Sequence, residues 1–185
     1  MAKARPLAAG LVLALAMAAT TTSSHATEVA FGPHDVPTVF FISKSDDRNR
    51  VDYAIQLAAR CAPLRDEAVF GYWREFEKAP PVVTHGFGMM DYVGYGIAEQ
   101  RMLHRTPTGG EHLMRLKQLG RPILLATRKE ADGKCTATAR TVINGVESQL
   151  VSVHVKLAGA LSVEYIDVHG KNLETGAAID ERIRK

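Results

Sequence analysis

The chain has 185 residues, of which 46% are hydrophobic and 23% charged, with 15 Gly, 8 Pro and 2 Cys. This composition excludes a collagen-like or intrinsically disordered chain, and the length is that of one globular domain. The net charge of +3 excludes a strongly basic nucleic-acid-binding surface, since acidic residues nearly balance the basic ones.

The first 26 residues have the pattern of a secretory signal peptide. Two basic residues come first, an apolar run follows over residues 7–19, and small residues end the segment at Ala26. The run is shorter than the roughly 20 residues of a membrane-spanning helix, which argues against the alternative of an uncleaved anchor. We therefore expect residues 27–185 to form one domain that is periplasmic or secreted, without a transmembrane segment. Cleavage removes both basic residues and leaves 21 basic and 20 acidic ones.

Two strands are predicted at the start of this domain. Residues 38–43 form a short apolar run that favours a β-strand. In residues 51–57, apolar and polar side chains alternate, which is typical of a strand with one face in the core. The inward side chains would be Val51, Tyr53, Ile55 and Leu57, with Asp52 and Gln56 facing outward. We expect the two strands to form a hairpin around residues 45–49.

The next predicted elements are a strand and a helix. Residues 69–76 are rich in aromatic side chains and predict a third strand, which Pro80 and Pro81 would end. Residues 87–93 have apolar side chains near helical spacing and predict one short helix, although the glycines there are unfavourable in a helix interior.

Residues 111–119 fit two kinds of element. Leu113, Leu116 and Leu119 lie at helical spacing, and Gly120 would end the helix. Side chains also alternate along the segment, which fits a strand with two different faces. The residue pattern leaves both structures open.

The clearest local pattern is a hairpin around Asn144-Gly145. Asn-Gly is favoured in the two-residue type I′ turn, because both central positions need positive φ. The turn joins predicted strands over residues 135–143 and 146–157. The second strand would place four side chains in the core, Val151, Val153, Val155 and Leu157.

A last strand is predicted over residues 161–168, followed by turns at Gly170 and Gly176 and a charged tail. Together the segments predict a mainly β domain, an antiparallel barrel or sandwich of eight or nine strands with one short helix. A barrel is preferred, since closing the sheet removes exposed strand edges.

Cys61 and Cys135 are the only cysteines. In an oxidising compartment, such a pair favours a disulfide. The alternative is two buried free thiols, because free cysteine behaves as a small apolar side chain.

Several short motifs occur in an order and spacing that resemble an uncharacterised bacterial family of exported β-rich proteins, a domain of unknown function. The motifs are FFISKS at 40–45 with Asn49 and Val51, YW at 72–73, YG at 95–96, DGK at 132–134, ING at 143–145, and VEYI at 163–166 continuing through Gly170 to ERI at 181–183. The resemblance implies a β-rich fold with a strand over residues 111–119. It implies no activity and no catalytic residues, since none are assigned in the family.

The sequence lacks the usual motifs of metal, cofactor and nucleophile chemistry. Seven histidines are present, and none of those after the signal peptide has the short spacing of a zinc site. A Gly-x-Ser-x-Gly elbow and the glycine patterns that bind phosphates or dinucleotides are also absent. We therefore assign no catalytic residue, no metal ligand and no cofactor.

One group of residues is predicted to bind a ligand. Charged groups beside aromatic side chains at a barrel mouth are suited to orient an anionic or amphipathic ligand. The candidates are Lys44, Arg48, Asn49, Arg50, Tyr53, Tyr72 and Trp73. The alternative is structural, since Tyr72 and Trp73 face opposite sides of a strand and one of them would belong to the core.

The favoured function is non-enzymatic binding of a small or amphipathic ligand or of an envelope component. The alternatives are a hydrolase-like or lyase-like periplasmic enzyme whose site is assembled in the fold, and a structural envelope factor acting through protein contacts. A binder would have an apolar cavity, an enzyme a cleft with perturbed acid and base groups, and an interaction factor a broad exposed apolar patch. Nucleic acid is not an expected partner.

Overall fold

The computed structural model describes residues 36–44, 48–76, 82–84, 87, 89–158 and 162–185. They form eleven strands and one helix: β1 (Thr38–Lys44), β2 (Arg50–Ile55), β3 (Val69–Glu75), β4 (Val82–Thr84), α1 (Met89–Tyr95), β5 (Ile97–Thr106), β6 (Gly109–Leu116), β7 (Pro122–Lys129), β8 (Cys135–Ile143), β9 (Val146–Leu157), β10 (Val163–Asn172) and β11 (Ala178–Arg184). The predicted signal peptide with its cleavage site, loop residues 45–47 and the two prolines at 80 and 81 lie outside the described residues.

The eleven described strands belong to one sheet with two arms that are joined at β9. The first arm is β1–β4 and the second arm is β5–β8, and consecutive strands within each arm pair antiparallel. One edge of β9 pairs with β10, which in turn pairs with β11. The other edge pairs first with β8 and then, in parallel, with β1. Both arms therefore start from the same edge of β9.

The inner faces of the two arms enclose one main core. Side chains from β1 and β2 of the first arm are buried in the same cluster as side chains from β6 and β7 of the second. Alternate residues of a strand point to one face, which gives each arm an apolar inner side. The core side chains include Phe40, Tyr53, Ile55, Met114, Ile123 and Leu125. The predicted mainly β barrel or sandwich is confirmed, with one parallel strand pair in an otherwise antiparallel sheet.

The free edges of the two arms are joined by side chains, in a region that we call the seam. The side-chain amide of Gln100 donates to the Val69 carbonyl at 3.1 Å and accepts from the Val69 N–H at 3.0 Å. Two further hydrogen bonds link the β2–β3 loop to β5, from the Met102 N–H to Asp66 and from Arg105 to the Leu64 carbonyl. Among the described strands, β3 and β5 share no backbone ladder. Side chains therefore close the sheet here.

The predicted disulfide is confirmed. Cys61 is bonded to Cys135, and their Cα atoms are 5.3 Å apart. Cys61 lies in the β2–β3 loop, which also supplies Leu64 and Asp66 to the seam. Because Cys135 begins β8, the bridge is a covalent link between the two arms.

The segment that fits two structures in the sequence is a strand, β6. His112, Met114 and Leu116 are buried, whereas the residues between them are partly exposed. The helix that the spacing of the leucines would allow is therefore not formed. The Asn144-Gly145 turn is confirmed, with positive φ at both residues, and β8 and β9 have the predicted bounds.

Four strands are not predicted by the sequence patterns: β4, β5, β7 and β11. β11 occupies the predicted charged tail, where Ile179 and Ile183 alternate with charged side chains and pack against the core. Gly170 was predicted to lie in a turn but lies inside β10. A Cβ there would lie 2.5 Å from the Gln149 carbonyl oxygen of β9, so this close approach of the two strands requires glycine. Val151 faces outward rather than into the core, beside an irregularity in the β9–β10 register.

The helix α1 begins two residues after the predicted start and has seven residues. In the described part of the chain, no helix is long and apolar enough to cross a bilayer.

Candidate functional site

A groove of about 620 Å³ opens at the seam, and we call it the lateral groove. One wall is the part of β3 that precedes its pairing with β4, and the other wall is the start of β5. The lining residues are Glu67, Val69, Phe70, Gly71, Phe87, Tyr92, Ile97, Ala98, Glu99 and Gln100. The sequence patterns single out none of them as site residues, because the groove is formed only when two arms distant in sequence meet.

The apolar side of the lateral groove is continuous with the core. Val69 belongs to the core cluster, and Phe87 and Ile97 pack against it. Gly71 leaves room for the ring of Phe87, since a Cβ at Gly71 would lie 2.3 Å from Phe87 Cζ. The ring therefore lies directly against the β3 backbone, where it offers an aromatic surface to an apolar ligand.

Gln100 connects the lateral groove to a buried histidine. His112 of β6 is fully buried, and its Nε2 lies 3.3 Å from Gln100 Oε1. The Val69 backbone fixes which end of the Gln100 amide is the oxygen, so His112 Nε2 carries the hydrogen. Its Nδ1 is then a buried acceptor, without a hydrogen-bond partner among the described residues. Burial lowers the pKa of His112 despite the nearby charge of Asp66, so the ring is neutral at pH 7.

The rim of the lateral groove has charged groups of both signs. Its described lining residues include two carboxylates, Glu67 and Glu99, and no basic side chain. Arg115 and Arg101 lie 3.2 and 3.9 Å from Glu99, and the Lys117 ammonium lies 4.0 Å from the Tyr92 ring. The Tyr92 hydroxyl donates to the Ile97 carbonyl at 3.3 Å. Because no basic side chain belongs to the described lining, the groove favours a neutral polar group over an anionic one.

Three of the predicted ligand-binding residues lie on the inner side of the first arm. Tyr53 is fully buried, stacks on Phe40 with ring centroids 4.6 Å apart, and donates its hydroxyl to the Tyr95 carbonyl. Trp73 packs edge-on against Tyr95 at 5.3 Å, and the Lys44 ammonium lies 5.7 Å from the Trp73 ring. Tyr53 is therefore a core residue, whereas Trp73 lies on the same face of β3 as Gly71 of the lateral groove.

The other four predicted residues lie elsewhere. Arg50 and Tyr72 are on the outer face of the first arm. The Asn49 side chain accepts from the Phe76 N–H at 2.9 Å and so fixes the chain next to β2. Arg48 is exposed. The structure therefore divides the predicted group between two faces and does not bring it together as one site.

Two side chains with the chemistry of a nucleophile and a base also meet on the outer face. Ser43 Oγ lies 3.1 Å from His154 Nδ1. Asp167 is directly opposite His154 in the β9–β10 register, but Arg182 binds both of its oxygens, at 2.7 and 2.8 Å. Asp167 therefore does not orient the imidazole as the acid of a catalytic triad does. Within the described ranges, no group of three or more His, Cys, Asp or Glu is placed to hold a metal ion.

A smaller concavity of about 280 Å³ lies on the second arm and is bounded by Arg121. The Arg121 guanidinium donates to both oxygens of Glu181, each at 2.7 Å. Glu181 also accepts from the Asn144 N–H at 2.6 Å. These hydrogen bonds, Arg121 first, outweigh partial burial and lower the pKa of Glu181 to about 2. The arrangement ties β11 to the β8–β9 turn, which is a structural role.

Comparison with known proteins identifies the family of the chain and gives no information on the site. No curated protein and no solved structure matches the chain. Residues 40–182 match a family described as a domain of unknown function, DUF4833. The match covers β1 to β11 almost completely, and it confirms the uncharacterised domain family that the sequence motifs indicate. The chain belongs to the DUF4833 family.

Proposed function

We propose that the chain is an exported, non-enzymatic binding protein that takes a small amphipathic ligand in the lateral groove. The observation that carries this proposal is the groove itself, which lies between two strand edges without a shared backbone ladder. Its volume of about 620 Å³ falls in the usual range for sites of small molecules, about 300–1,000 Å³.

In this proposal, the two ends of the ligand contact different parts of the lining. The apolar part lies against Phe87, Gly71 and Ile97, next to the core. The polar part meets Gln100 and the Tyr92 hydroxyl, and the absence of a basic side chain from the described lining favours a neutral head group over an anionic one. A ligand group that displaces the Gln100 amide also reaches the buried acceptor of His112.

Export is supported by two independent features. The first 26 residues have the charge, apolar run and small residues of a secretory signal peptide. The Cys61–Cys135 disulfide fits the oxidising conditions of the periplasm or the cell exterior.

Trp73 provides a direct test, because it is the only tryptophan and lies on β3 two residues from Gly71. The probes are monodecanoylglycerol, which is neutral, and decanoate, which is anionic, both below their micellar concentrations. We expect a saturable shift of Trp73 emission with the neutral probe and at least about tenfold weaker binding of decanoate, equivalent to roughly 1.4 kcal/mol.

A filling substitution distinguishes the groove from non-specific binding. Ala98→Phe places a ring in the lateral groove and should abolish the emission shift. The matched control is Ala178→Phe, at an exposed alanine of β11, which should bind as the unmodified chain does. Equal binding by both variants, or no saturable shift with either probe, would contradict the proposal.

A hydrolase is the second candidate, and the Ser43–His154 contact is the observation that favours it. Binding is preferred because Arg182 engages the adjacent Asp167. Hydrolysis of p-nitrophenyl esters that Ser43→Ala abolishes would decide for the enzyme, whereas an unchanged low rate would decide against it.

A further inference from the structure

Two arginines lie directly opposite each other on the outer face of the first arm. Arg50 of β2 and Arg74 of β3 are register partners in an antiparallel pair. Like charges in this position destabilise a sheet. A nearby negative charge must therefore offset the repulsion between the two guanidinium groups.

Asp52 supplies part of the compensation. Its carboxylate is fully buried, and it accepts from Arg50 Nε and from Arg74 Nε, each at 2.6 Å. One carboxylate balances only one of the two guanidinium groups, so the cluster keeps a net positive charge. Arg50 Nη2 also reaches the second oxygen of Asp52 at 3.5 Å, and Arg74 Nη2 donates to the Tyr72 hydroxyl. Each guanidinium group has five N–H donors, so these bonds do not use all of them. The two arginine side chains remain 30% and 28% exposed.

Aromatic rings hold both guanidinium groups in place. Arg50 lies over the ring of Phe41 at 4.3 Å and near the ring of Phe76 at 5.1 Å. Arg74 lies 5.9 Å from the ring of Tyr72 and donates to its hydroxyl at 3.3 Å. Side chains that are already ordered lose little conformational freedom when they bind a ligand.

The Ser43 hydroxyl on the neighbouring strand β1 lies next to the two arginines. Ser43 of β1 is the register partner of Arg50, and its Oγ contacts His154 of β9. Asp167, the register partner of His154 on β10, has its carboxylate bound by Arg182. The exposed part of the cluster therefore presents guanidinium groups and a hydroxyl to solvent.

We propose that Arg50 and Arg74, held by Asp52, form a binding site for a phosphate group. Paired guanidinium groups match the charge and the oxygen spacing of phosphate. The Ser43 hydroxyl supplies a contact from the neighbouring strand. The lateral groove reaches the outer face at Phe70, whose ring lies 5.9 Å from that of Tyr72, but neither arginine nor Ser43 lines it. The site is therefore separate from that of the proposed groove ligand.

The test follows the Arg Nε–Hε resonances of the 15N-labelled chain while inorganic phosphate replaces chloride at constant ionic strength. We expect the resonances of Arg50 and Arg74 to shift together and saturate. Arg74→Gln leaves Asp52 paired with Arg50 and should weaken phosphate binding at least about tenfold. Arg74→Lys, which keeps the charge but not the paired N–H groups, should also weaken it.

The control is Arg128→Gln, which removes an exposed arginine of β7 with the same change of net charge. It should bind phosphate as the unmodified chain does. No saturable shift at Arg50 and Arg74, unchanged binding by both Arg74 variants, or equal weakening in the control would overturn the proposal. Ala98→Phe should leave phosphate binding unchanged, which separates this result from that of the lateral groove.

A second experiment distinguishes a lipid phosphate from a soluble phosphate ester as the ligand. Vesicles of phosphatidylcholine with phosphatidic acid, compared with phosphatidylcholine alone, test a lipid head group by co-sedimentation. Retention that Arg74→Gln abolishes assigns the site to a lipid phosphate. Binding of glycerol phosphate without vesicle retention assigns it to a soluble phosphate ester.

Discussion

The second arm and the seam join neighbouring strands in different ways. In the second arm, β5 to β8 are joined by continuous antiparallel ladders. At the seam, single side chains such as Gln100 and Asp66 make the hydrogen bonds that a ladder makes elsewhere. A side-chain bond is lost by rotation of one side chain, whereas a ladder must open cooperatively. Amide exchange should therefore be faster at Val69 and Met102 than in β7.

The largest expected effect comes from removing the covalent link between the arms. The Cys61→Ala/Cys135→Ala variant should lose about 4 kcal/mol of unfolding free energy, because the bridge closes a long loop in the unfolded chain. The 74-residue separation of the cysteines is the basis of this value. Urea unfolding measures the change. An unfolding free energy left unchanged by the double substitution would contradict this expectation.

The Arg121–Glu181 pair provides a test away from the seam that depends on pH. The pKa of Glu181 is lowered to about 2, so its stabilisation is complete above the unfolded-state pKa and is lost as the pH falls toward 2. Glu181→Gln should therefore lose on the order of 2 kcal/mol at pH 7, discounted for partial exposure of the pair. The difference from the unmodified chain should vanish near pH 2.

Urea unfolding across this pH range measures the effect of Glu181→Gln. Exchange at the seam should not change in this variant, because the pair contacts β11 and the β8–β9 turn. A pH-independent loss would show that the charge of Glu181 is not the cause.

Gln100→Leu tests the seam together with its contact to His112. The variant leaves the N–H and the carbonyl of Val69 and the buried His112 Nε2 without this partner, which should cost about 1–3 kcal/mol. Amide exchange at Val69 should accelerate by more than the loss of global unfolding free energy accounts for. The matched control is Gln149→Leu on β9, whose backbone pairs on both sides. If Gln149→Leu lowered stability and accelerated exchange at Val69 equally, the effect of Gln100→Leu would not come from the hydrogen bonds at the seam.

The smallest expected effect is at the turn of the β8–β9 hairpin. Gly145 has φ 80°, which a residue with a Cβ rarely adopts. Gly145→Ala should therefore cost about 1 kcal/mol, without effect on exchange at the seam. The thermal unfolding midpoint measures it. An unchanged midpoint would mean that the turn relaxes without cost.

The elements predicted from the sequence are those whose pattern is local. Alternation in residues 51–57 gives β2, and Asn144-Gly145 gives the β8–β9 hairpin. β5 is missed because it carries few buried apolar side chains, and most of its residues are exposed beside the seam. β11 is missed because its charged residues outnumber the two isoleucines that reach the core.

The candidate sites depend on contacts between distant segments and could be predicted only in part. Arg50 was predictable as a charged residue beside aromatic ones, but its pairing with Arg74 across Asp52 requires the β2–β3 register. Asp52 was predicted to face outward, and it does lie on the outer face, but the two arginines bury it completely. Gln100 and His112 belong to no motif, because they meet only when β5 and β6 pair and the two arms close.

The parallel pairing of β1 with β9 sets the order in which the chain can acquire its structure. Ser43 and His154 are in contact although they are 111 residues apart, so during synthesis β1 emerges long before the strand that completes its edge. The pairs within the first arm are local and can form without β9, whereas the second edge of β1 stays unpaired until the C-terminal third of the chain is present. Contacts this distant slow folding, so joining the first arm to β9 is expected to be a late step.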